Sequence, residues 1–264
     1  MKLRVLRAAI LLSSLPACSG GEAATGGSGK VVDSSSGTVA LGLDARSAYR
    51  ATGGSGGTLT GTISLQGEAR DSMVATGKDA KVCGDSAAVR QSNANGTALG
   101  NALVWIDGIQ AGKPLPEERR ETITMERCHF EPRVLAVVAG STINVFSRDR
   151  VAHTARFYRE GAGEPVAFAR TVDEGQVVPS EQIASAPGIV EARCTLHPWA
   201  RGYVAVFEHP YFAVTDASGK FSIAGLPGGT YTVKVWHEGL EKPVEQRVTL
   251  AGGTGQLDVA VALR

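Results

Sequence analysis

The feature of this sequence that most restricts its fold is a period of two in the apolar residues. Between Thr58 and Leu65 the apolar positions alternate with threonine and serine, as in a strand that buries one face. Residues 102–106 and 141–146 are further short strand-like runs. No stretch of about 12 residues or more has apolar side chains at helical spacing. The sequence therefore predicts an all-β fold.

A cysteine and a histidine lie three residues apart in the segment Cys194-Thr-Leu-His197-Pro-Trp. A copper site of the electron-transfer type takes two imidazoles and one thiolate in a plane, with a weak, distant fourth ligand. His153, which follows a strand-like run and a polar turn, is the best candidate for the second imidazole. We therefore predict that His153, Cys194 and His197 bind one metal ion.

Less specific interpretations of these residues stay open at this point. Cys194 is also compatible with a small buried residue, or with a disulfide partner of Cys83 or Cys128. His153 by itself is compatible with a solvated loop residue.

Several features follow one another along the chain between residues 58 and 264: Phe130 and Pro132, an apolar run into Gly140-Ser141, a polar turn with His153-Thr154, Cys194-x-x-His197-Pro-Trp, and Val204-Ala-Val. This order resembles a cupredoxin, the plastocyanin-like fold. More closely, it resembles bacterial periplasmic proteins in which a cupredoxin is joined to a carboxypeptidase-regulatory-like sandwich. The resemblance implies a cupredoxin-like Greek-key β-sandwich, a second, smaller prealbumin-like β-sandwich, and one mononuclear copper ion as cofactor.

One position departs from the pattern of that family. The family usually carries methionine three positions after the loop histidine, whereas this chain has Ala200 there. A backbone carbonyl or glutamine in the axial direction would keep an electron carrier of the blue type. An open axial direction would instead admit water or a small ligand, or lower the affinity for metal, so the axial ligand is left unassigned.

The N-terminal residues indicate export. Basic residues up to Arg7 precede a short apolar core at residues 8–15, which predicts a secretory signal peptide over residues 1–17. The apolar core is too short to span a bilayer. The following segment resembles a bacterial lipobox, so we expect lipidation of Cys18 and, from Ser19 by the family rule, an anchor in the outer membrane. The alternative is an ordinary signal peptide that leaves Cys18 as a free thiol.

Composition and turn signals predict how the rest of the chain is divided. Residues 18–57 are rich in glycine, serine, threonine and alanine and are expected to form a disordered tether. The C-terminal hairpins are too short to close two sheets. We therefore predict a discontinuous carboxypeptidase-regulatory-like sandwich, 58–118 plus 209–264, with a cupredoxin-like domain, 119–208, inserted in it. The alternative is two domains in simple order, split near residue 208.

The cysteines fit an exported protein. If Cys18 carries lipid, three cysteines remain, and in an oxidising compartment two of them should pair. We expect Cys83 and Cys128 to form the disulfide, because Cys194 would stay reduced as a metal-bound thiolate.

Charge and motifs exclude other classes of function. The formal net charge of +1 argues against a nucleic-acid partner. The chain lacks the hydrolase, phosphate-loop, zinc-protease and haem-attachment motifs, so we expect no enzymatic activity.

Basic residues and further histidines surround the predicted ligands. Four arginines lie nearby in sequence: Arg148, Arg150, Arg156 and Arg201. Their charge favours a thiolate and attracts an acidic redox partner, although such charges also simply solvate loops. The remaining histidines are expected to be hydrogen-bonded structural residues rather than ligands: His129, His209 and His237.

These observations favour an exported copper-binding lipoprotein that acts in electron transfer or copper handling at the cell envelope, with a periplasmic redox partner. The alternative from another class is a metal-free β-sandwich that binds a protein or glycan at the envelope. A third hypothesis, based on Ala200, is a copper enzyme or sensor with an open axial position.

Overall fold

The computed structural model describes residues 49–67, 71–89, 94–159, 169–251 and 253–264. The predicted signal peptide and the predicted lipidation site, Cys18, lie outside these residues, as does most of the predicted tether. Within the described part of the chain, no helix has the length and apolar character needed to cross a membrane.

The described residues form 23 strands, β1 to β23. The first eight are β1 (Arg50–Ala51), β2 (Gly57–Leu65), β3 (Met73–Ala75), β4 (Ser86–Ala88), β5 (Ala94–Asn95), β6 (Ala98–Leu99), β7 (Leu103–Ile106) and β8 (Ala111–Gly112). The next nine are β9 (Arg120–Glu126), β10 (His129–Glu131), β11 (Val134–Val138), β12 (Thr142–Ser147), β13 (His153–Arg159), β14 (Ala169–Val172), β15 (Val177–Ser180), β16 (Gly188–Cys194) and β17 (Arg201–Phe207). The last six are β18 (Phe212–Val214), β19 (Lys220–Leu226), β20 (Gly229–Trp236), β21 (Val244–Leu250), β22 (Thr254–Gln256) and β23 (Val259–Val261).

The prediction of an all-β fold is confirmed. In β2, Leu59, Ile63 and Leu65 are buried while the threonines between them are half-buried, as the period of two predicts. The helical structure of the described residues is confined to one 3₁₀ turn, Gly77–Asp79, and one α-helical turn, α1 (Ala80–Cys83).

Strands β9 to β17 form a two-sheet unit, which we call the inner sandwich. One sheet has the strand order β10-β9-β12-β15 and the other β11-β17-β16-β13-β14. Strands β9 and β12 run parallel, as do β11 and β17, so the chain passes between the sheets rather than running only in hairpins. Ile123, Ile143, Phe157, Val190 and Val204 are among the buried residues that fill the space between the two sheets.

The strands on either side of the inner sandwich form a second unit, the outer sandwich. Its sheets have the orders β18-β7-β20-β21 and β19-β2-β6-β5, with β22 and β23 also paired to β2. Phe212 pairs with Trp105 and Val214 with Leu103, so a strand that follows the inner sandwich joins a strand that precedes it. This is the pairing that a discontinuous sandwich requires, whereas a split near residue 208 would separate these strands.

The end of the predicted tether departs from the expectation of disorder. Arg50–Ala51 pairs in parallel with Ala111–Gly112. The Tyr49 hydroxyl donates to the carbonyl of Lys113 at 2.5 Å, and its ring meets that of Tyr211 edge-on at 6.3 Å. Tyr49 and Arg50–Ala51 therefore contact the fold, whereas residues 52–56 are exposed and outside any strand.

The two sandwiches meet at a buried ion pair within an apolar contact. Arg133 Nε lies 2.6 Å from Glu238 Oε1, and an Arg133 Nη donates to Glu238 Oε2 at 2.8 Å. The side chains are 1% and 7% exposed. The Tyr203 hydroxyl also donates to Glu238, and its ring meets that of Trp236 at 5.0 Å. The Trp236-His237-Glu238 segment therefore connects the outer sandwich to the inner one.

This connection predicts a large loss of stability when Glu238 is removed. Glu238→Ala leaves the Arg133 guanidinium buried without its carboxylate, so we expect the free energy of unfolding to fall by about 3–5 kcal/mol in urea titrations. Glu241→Ala is the control, because the Glu241–Arg264 pair is exposed and should contribute about 0–1 kcal/mol. Equal effects of the two substitutions would contradict this account.

Candidate metal centre

Two of the predicted ligands are brought together by strand register. Strands β13 and β16 are antiparallel neighbours, and Ala155 pairs with Cys194. His153 lies two residues before Ala155, so its side chain is on the same face of the sheet as that of Cys194. Both side chains point into the inner sandwich, where His153 is 0% and Cys194 2% exposed.

The third predicted ligand comes from the loop that joins β16 to β17. The Cys194 N–H donates to the Ala200 carbonyl at 3.1 Å, and the Ala200 N–H donates to the His197 carbonyl at 2.8 Å. These bonds fold the loop back on itself and bring His197 over the end of β16. The Trp199 ring lies 5.3 Å from that of His197 and closes the site on one side.

The three predicted ligands converge on one point. Cys194 Sγ is 3.5 Å from His197 Nδ1 and 3.8 Å from His153 Nδ1, and the two Nδ1 atoms are 3.0 Å apart. Three ligands about 2 Å from one ion and about 120° apart are themselves separated by about 3.5 Å. A thiolate and two imidazoles at these distances fit a copper ion in a trigonal plane.

Each imidazole is oriented by a carboxylate on its far nitrogen. His153 Nε2 lies 2.8 Å from Asp149 Oδ2, and His197 Nε2 lies 3.3 Å from Asp79 Oδ2. A carboxylate that accepts the Nε2–H leaves the Nδ1 lone pair free for a metal. Both histidines therefore turn Nδ1 toward Cys194, which is the orientation that coordination by Nδ1 needs.

Asp149 is itself held by backbone groups. Its two oxygens accept from the N–H groups of Arg127 and Cys128 at 2.7 and 2.8 Å. These two residues have left-handed backbone conformations, with φ of 52° and 61°, which direct consecutive N–H groups to one acceptor. Burial raises the pKa of Asp149, but the hydrogen bonds from His153 and from this backbone lower it below its ordinary value.

The site favours a thiolate in the absence of metal. Burial raises the pKa of the Cys194 thiol, but hydrogen bonds from His153, His197 and nearby backbone N–H groups outweigh burial and lower the pKa to about 6. Burial lowers the pKa of His153, whereas its bonds to Asp149 and Cys194 raise the pKa to about 9. A metal ion would thus bind a Cys194 that is already a thiolate, and would displace a proton from His153.

The cysteines pair as the sequence indicated. Cys83 and Cys128 form a disulfide, and among the described residues Cys194 is the free cysteine. The alternative in which Cys194 is a disulfide partner of either residue is therefore wrong.

The other histidines lie outside the convergent cluster. The ring nitrogens of His209 and His237 accept backbone N–H groups of Tyr211 and Gly239, and His129 Nδ1 lies 2.8 Å from the Arg127 carbonyl. These contacts agree with structural roles.

The nearby arginines contribute less to the thiolate than expected. Arg148, Arg150 and Arg201 pair with glutamates, at 3.1, 3.6 and 3.1 Å respectively. The groups that chiefly lower the pKa of Cys194 are the two histidines and the backbone.

Two carboxylates of the site were missed by the sequence analysis. Asp149 had a usable signal, because it lies in the polar turn four residues before His153. Asp79 had none, since it lies 118 residues from its partner His197. Ala200 is fully buried and offers only a methyl group, so the position that carries methionine in the resembling family supplies no fourth side-chain ligand here.

Comparison with known proteins gives partial matches. The sequence profile of the family described as "Carboxypeptidase regulatory-like domain" matches residues 188–264, which is less than half of the chain. The first part of this match forms β16 and β17 of the inner sandwich, and the remainder forms strands of the outer sandwich. No curated protein matches the chain.

Several solved structures are similar to part of the chain. A purple cupredoxin from Nitrosopumilus maritimus is 20% identical, covers 33% of this chain and 99% of its own, and has a TM-score of 0.29. A reduced Cu(I) form of an amicyanin mutant is 22% identical, with coverages of 35% and 86% and a TM-score of 0.30. A copper-containing nitrite reductase from Thermus scotoductus SA-01 is 25% identical, with coverages of 39% and 24% and a TM-score of 0.30. The chain is thus similar to cupredoxin structures over about a third of its length.

The site geometry predicts a low thiol pKa in the metal-free protein. In a Cys18→Ser background, the thiolate absorption of Cys194 should titrate with a midpoint near pH 6, and Asp149→Asn should raise that midpoint by weakening the positive charge on His153. Because this pKa lies below the ordinary thiol value of 9.0, the contribution of the thiolate to the free energy of unfolding is complete above pH 9.0 and disappears as the pH falls to about 6. Cys194→Ser is the control and should show no such titration. A midpoint at the ordinary thiol value would refute the described hydrogen bonding.

Proposed function

We propose that this chain is an exported copper-binding protein, and that its inner sandwich holds one mononuclear copper ion for electron transfer or copper handling at the cell envelope. The observation that supports this proposal is the convergence of His153 Nδ1, Cys194 Sγ and His197 Nδ1 within 3.8 Å of one another. Two imidazoles and a thiolate are the donor set of electron-transfer copper sites.

The donor set favours copper over zinc. A structural zinc site requires four ligands in a tetrahedron, and Ala200 contributes no fourth side chain. Copper accepts a trigonal arrangement with a weak axial ligand. When bound, the ion would supply a one-electron couple.

The surroundings of the ligands favour electron transfer over ligand exchange. His153, Cys194 and His197 are all buried, and the carboxylates on the two Nε2 atoms restrict rotation of the rings. Ligands that hold one geometry in both oxidation states lower the reorganisation that accompanies electron transfer. Leu196 lies between two of the ligands and its side chain is 54% exposed, so we place the contact with a redox partner there.

Location at the cell envelope is part of the proposal and rests on the N-terminal sequence. The signal peptide and a lipid on Cys18 would anchor the chain in the outer membrane on the periplasmic side. The Cys83–Cys128 disulfide agrees with an oxidising compartment. We assign the chain no nucleic-acid partner and no enzymatic activity.

A cleft between the sandwiches favours a second candidate function, the binding of a glycan by a metal-free scaffold. The cleft has a volume of about 460 Å³, and Trp105, Phe207, Asp107 and Glu208 are among its lining residues. Aromatic rings stack on the apolar faces of sugars, and carboxylates accept hydrogen bonds from their hydroxyls. Under this alternative, oligosaccharide binding would survive in a Cys194→Ser chain and would be lost on Trp105→Ala.

The copper proposal predicts a coloured protein with one copper per chain. The copper-loaded protein should absorb at about 600 nm through the Cys194 thiolate. Cys194→Ser should abolish the band, and His153→Ala should lower copper affinity. His129→Ala is the matched control and should keep both the band and the stoichiometry, because His129 lies outside the cluster. A folded wild-type chain that takes up no copper would refute the proposal.

The contact between Asp79 and His197 predicts that a residue outside the ligand set affects copper affinity. Asp79→Asn removes the carboxylate that orients His197, so copper affinity should fall by about 10- to 100-fold in chelator competition. Asp85→Asn, a substitution at an exposed position of the same segment, should leave affinity unchanged. Equal affinities of the two variants would show that Asp79 does not position His197.

A further inference from the structure

The disulfide lies directly beside the candidate copper site. The sulfur atoms of Cys83 and Cys128 and a ring nitrogen of His197 all lie within 4.8 Å of one another. The sulfur of Cys128 also lies within 4.8 Å of a carboxylate oxygen of Asp149 and a ring nitrogen of His153. The two sulfurs are therefore adjacent to histidines that already face a metal position.

The first ligand set leaves one nitrogen of His197 for a second ion. His197 directs Nδ1 to Cys194 at 3.5 Å, whereas its Nε2 faces Asp79. The nitrogen of His197 that is not used by the first ion is thus Nε2, and its present partner is a carboxylate at 3.3 Å. If a metal ion replaced the Asp79 contact at Nε2, His197 Nδ1 would keep its position beside Cys194.

We propose that reduction of the Cys83–Cys128 disulfide creates a second soft-metal site, in which Cys83 Sγ, Cys128 Sγ and His197 Nε2 bind Cu(I). This inference goes beyond the proposed function, because it uses different sulfur atoms and depends on the thiol state of the chain. Disulfide sulfurs are poor ligands, whereas thiolates are strong ligands for Cu(I). The site therefore exists only in the reduced chain.

The reducing step is an ordinary thiol–disulfide exchange. A dithiol, as its thiolate, attacks one sulfur of the Cys83–Cys128 bond, and the second thiolate of the reagent then releases the mixed disulfide. Two electrons and two protons pass to Cys83 and Cys128, and the reagent becomes a disulfide. Cu(I) then binds with release to solvent of both thiol protons and, when the first ion occupies Nδ1, of the His197 Nε2 proton; no change in the oxidation state of the metal is needed.

The position of the two cysteines fits such a switch. Cys83 ends the single turn of α1, in a segment that precedes the inner sandwich, and Cys128 lies in the turn between β9 and β10. Besides the disulfide, the segment is held by the Asp79–His197 contact and by an Arg133 Nη that donates to the Val89 carbonyl at 3.4 Å. Both sulfurs are buried, so reduction requires local opening of this segment.

Sharing of His197 couples the two sites. An imidazole that binds one ion through Nδ1 and another through Nε2 loses its Nε2 proton and becomes a stronger donor. A second ion should therefore change the Cu(I) affinity of the first site, which a remote, independent site would not do. Under this arrangement the copper capacity of the chain rises from one to two ions when the surroundings become reducing.

The test measures copper stoichiometry in both thiol states. The full chain with Cys18→Ser is titrated with Cu(I) against bicinchoninate, either as the disulfide form or after dithiothreitol treatment and anaerobic desalting. We expect one ion per chain in the disulfide form and two in the reduced form.

Variants separate the two sites. Cys83→Ser with Cys128→Ser should bind one ion under both conditions, and Cys194→Ser should gain one ion only on reduction. A reduced wild-type chain that still binds one ion, or a double serine variant that binds two, overturns the proposal. Loss of the β-sheet circular dichroism on reduction also overturns it, because the site needs the folded positions of the three ligands. A disulfide form that binds no copper would instead contradict the proposed function of the first site.

Discussion

The candidate site depends on two carboxylates that hold two buried imidazoles. An imidazole removed from water needs a partner for its N–H group, and Asp149 and Asp79 provide one for His153 and His197 respectively. With both Nε2 atoms engaged, both Nδ1 atoms turn toward Cys194. The low pKa of that thiol and the high pKa of His153 follow from the same contacts. The metal-free site thus already has the imidazole orientations and the thiolate that a metal cation requires.

A segment outside the inner sandwich completes the site. Asp79 belongs to a segment that precedes the inner sandwich, and the disulfide to Cys128 fixes this segment over His197. On another side, Arg133 and Glu238 join the sandwiches through a buried ion pair. The segment between β3 and β4 therefore orients one ligand, although it contributes none of the three metal-binding atoms.

Much of this arrangement could be predicted from local sequence. The alternation in β2 predicted a strand that is buried on one face, and the burial of Leu59 and Ile63 agrees with it. The strand-like stretch around Trp105 predicted a missing partner for the C-terminal hairpins, and it pairs with Phe212. Composition, which indicated a disordered tether up to residue 57, did not indicate the contacts of Tyr49 and Arg50–Ala51. Average composition does not register one aromatic side chain that docks on the fold.

Local sequence was enough to predict the types of ligand, the three-residue spacing of Cys194 and His197, and the strands that carry them. These features are local, because a period of two and a short loop are written in consecutive residues. The folded structure was needed to find that Asp79 orients His197 across 118 positions, and that the disulfide sulfurs lie beside the same ring. Contacts of this kind depend on how a distant segment packs on the inner sandwich, and packing leaves no periodic signal in either of the segments that it brings together.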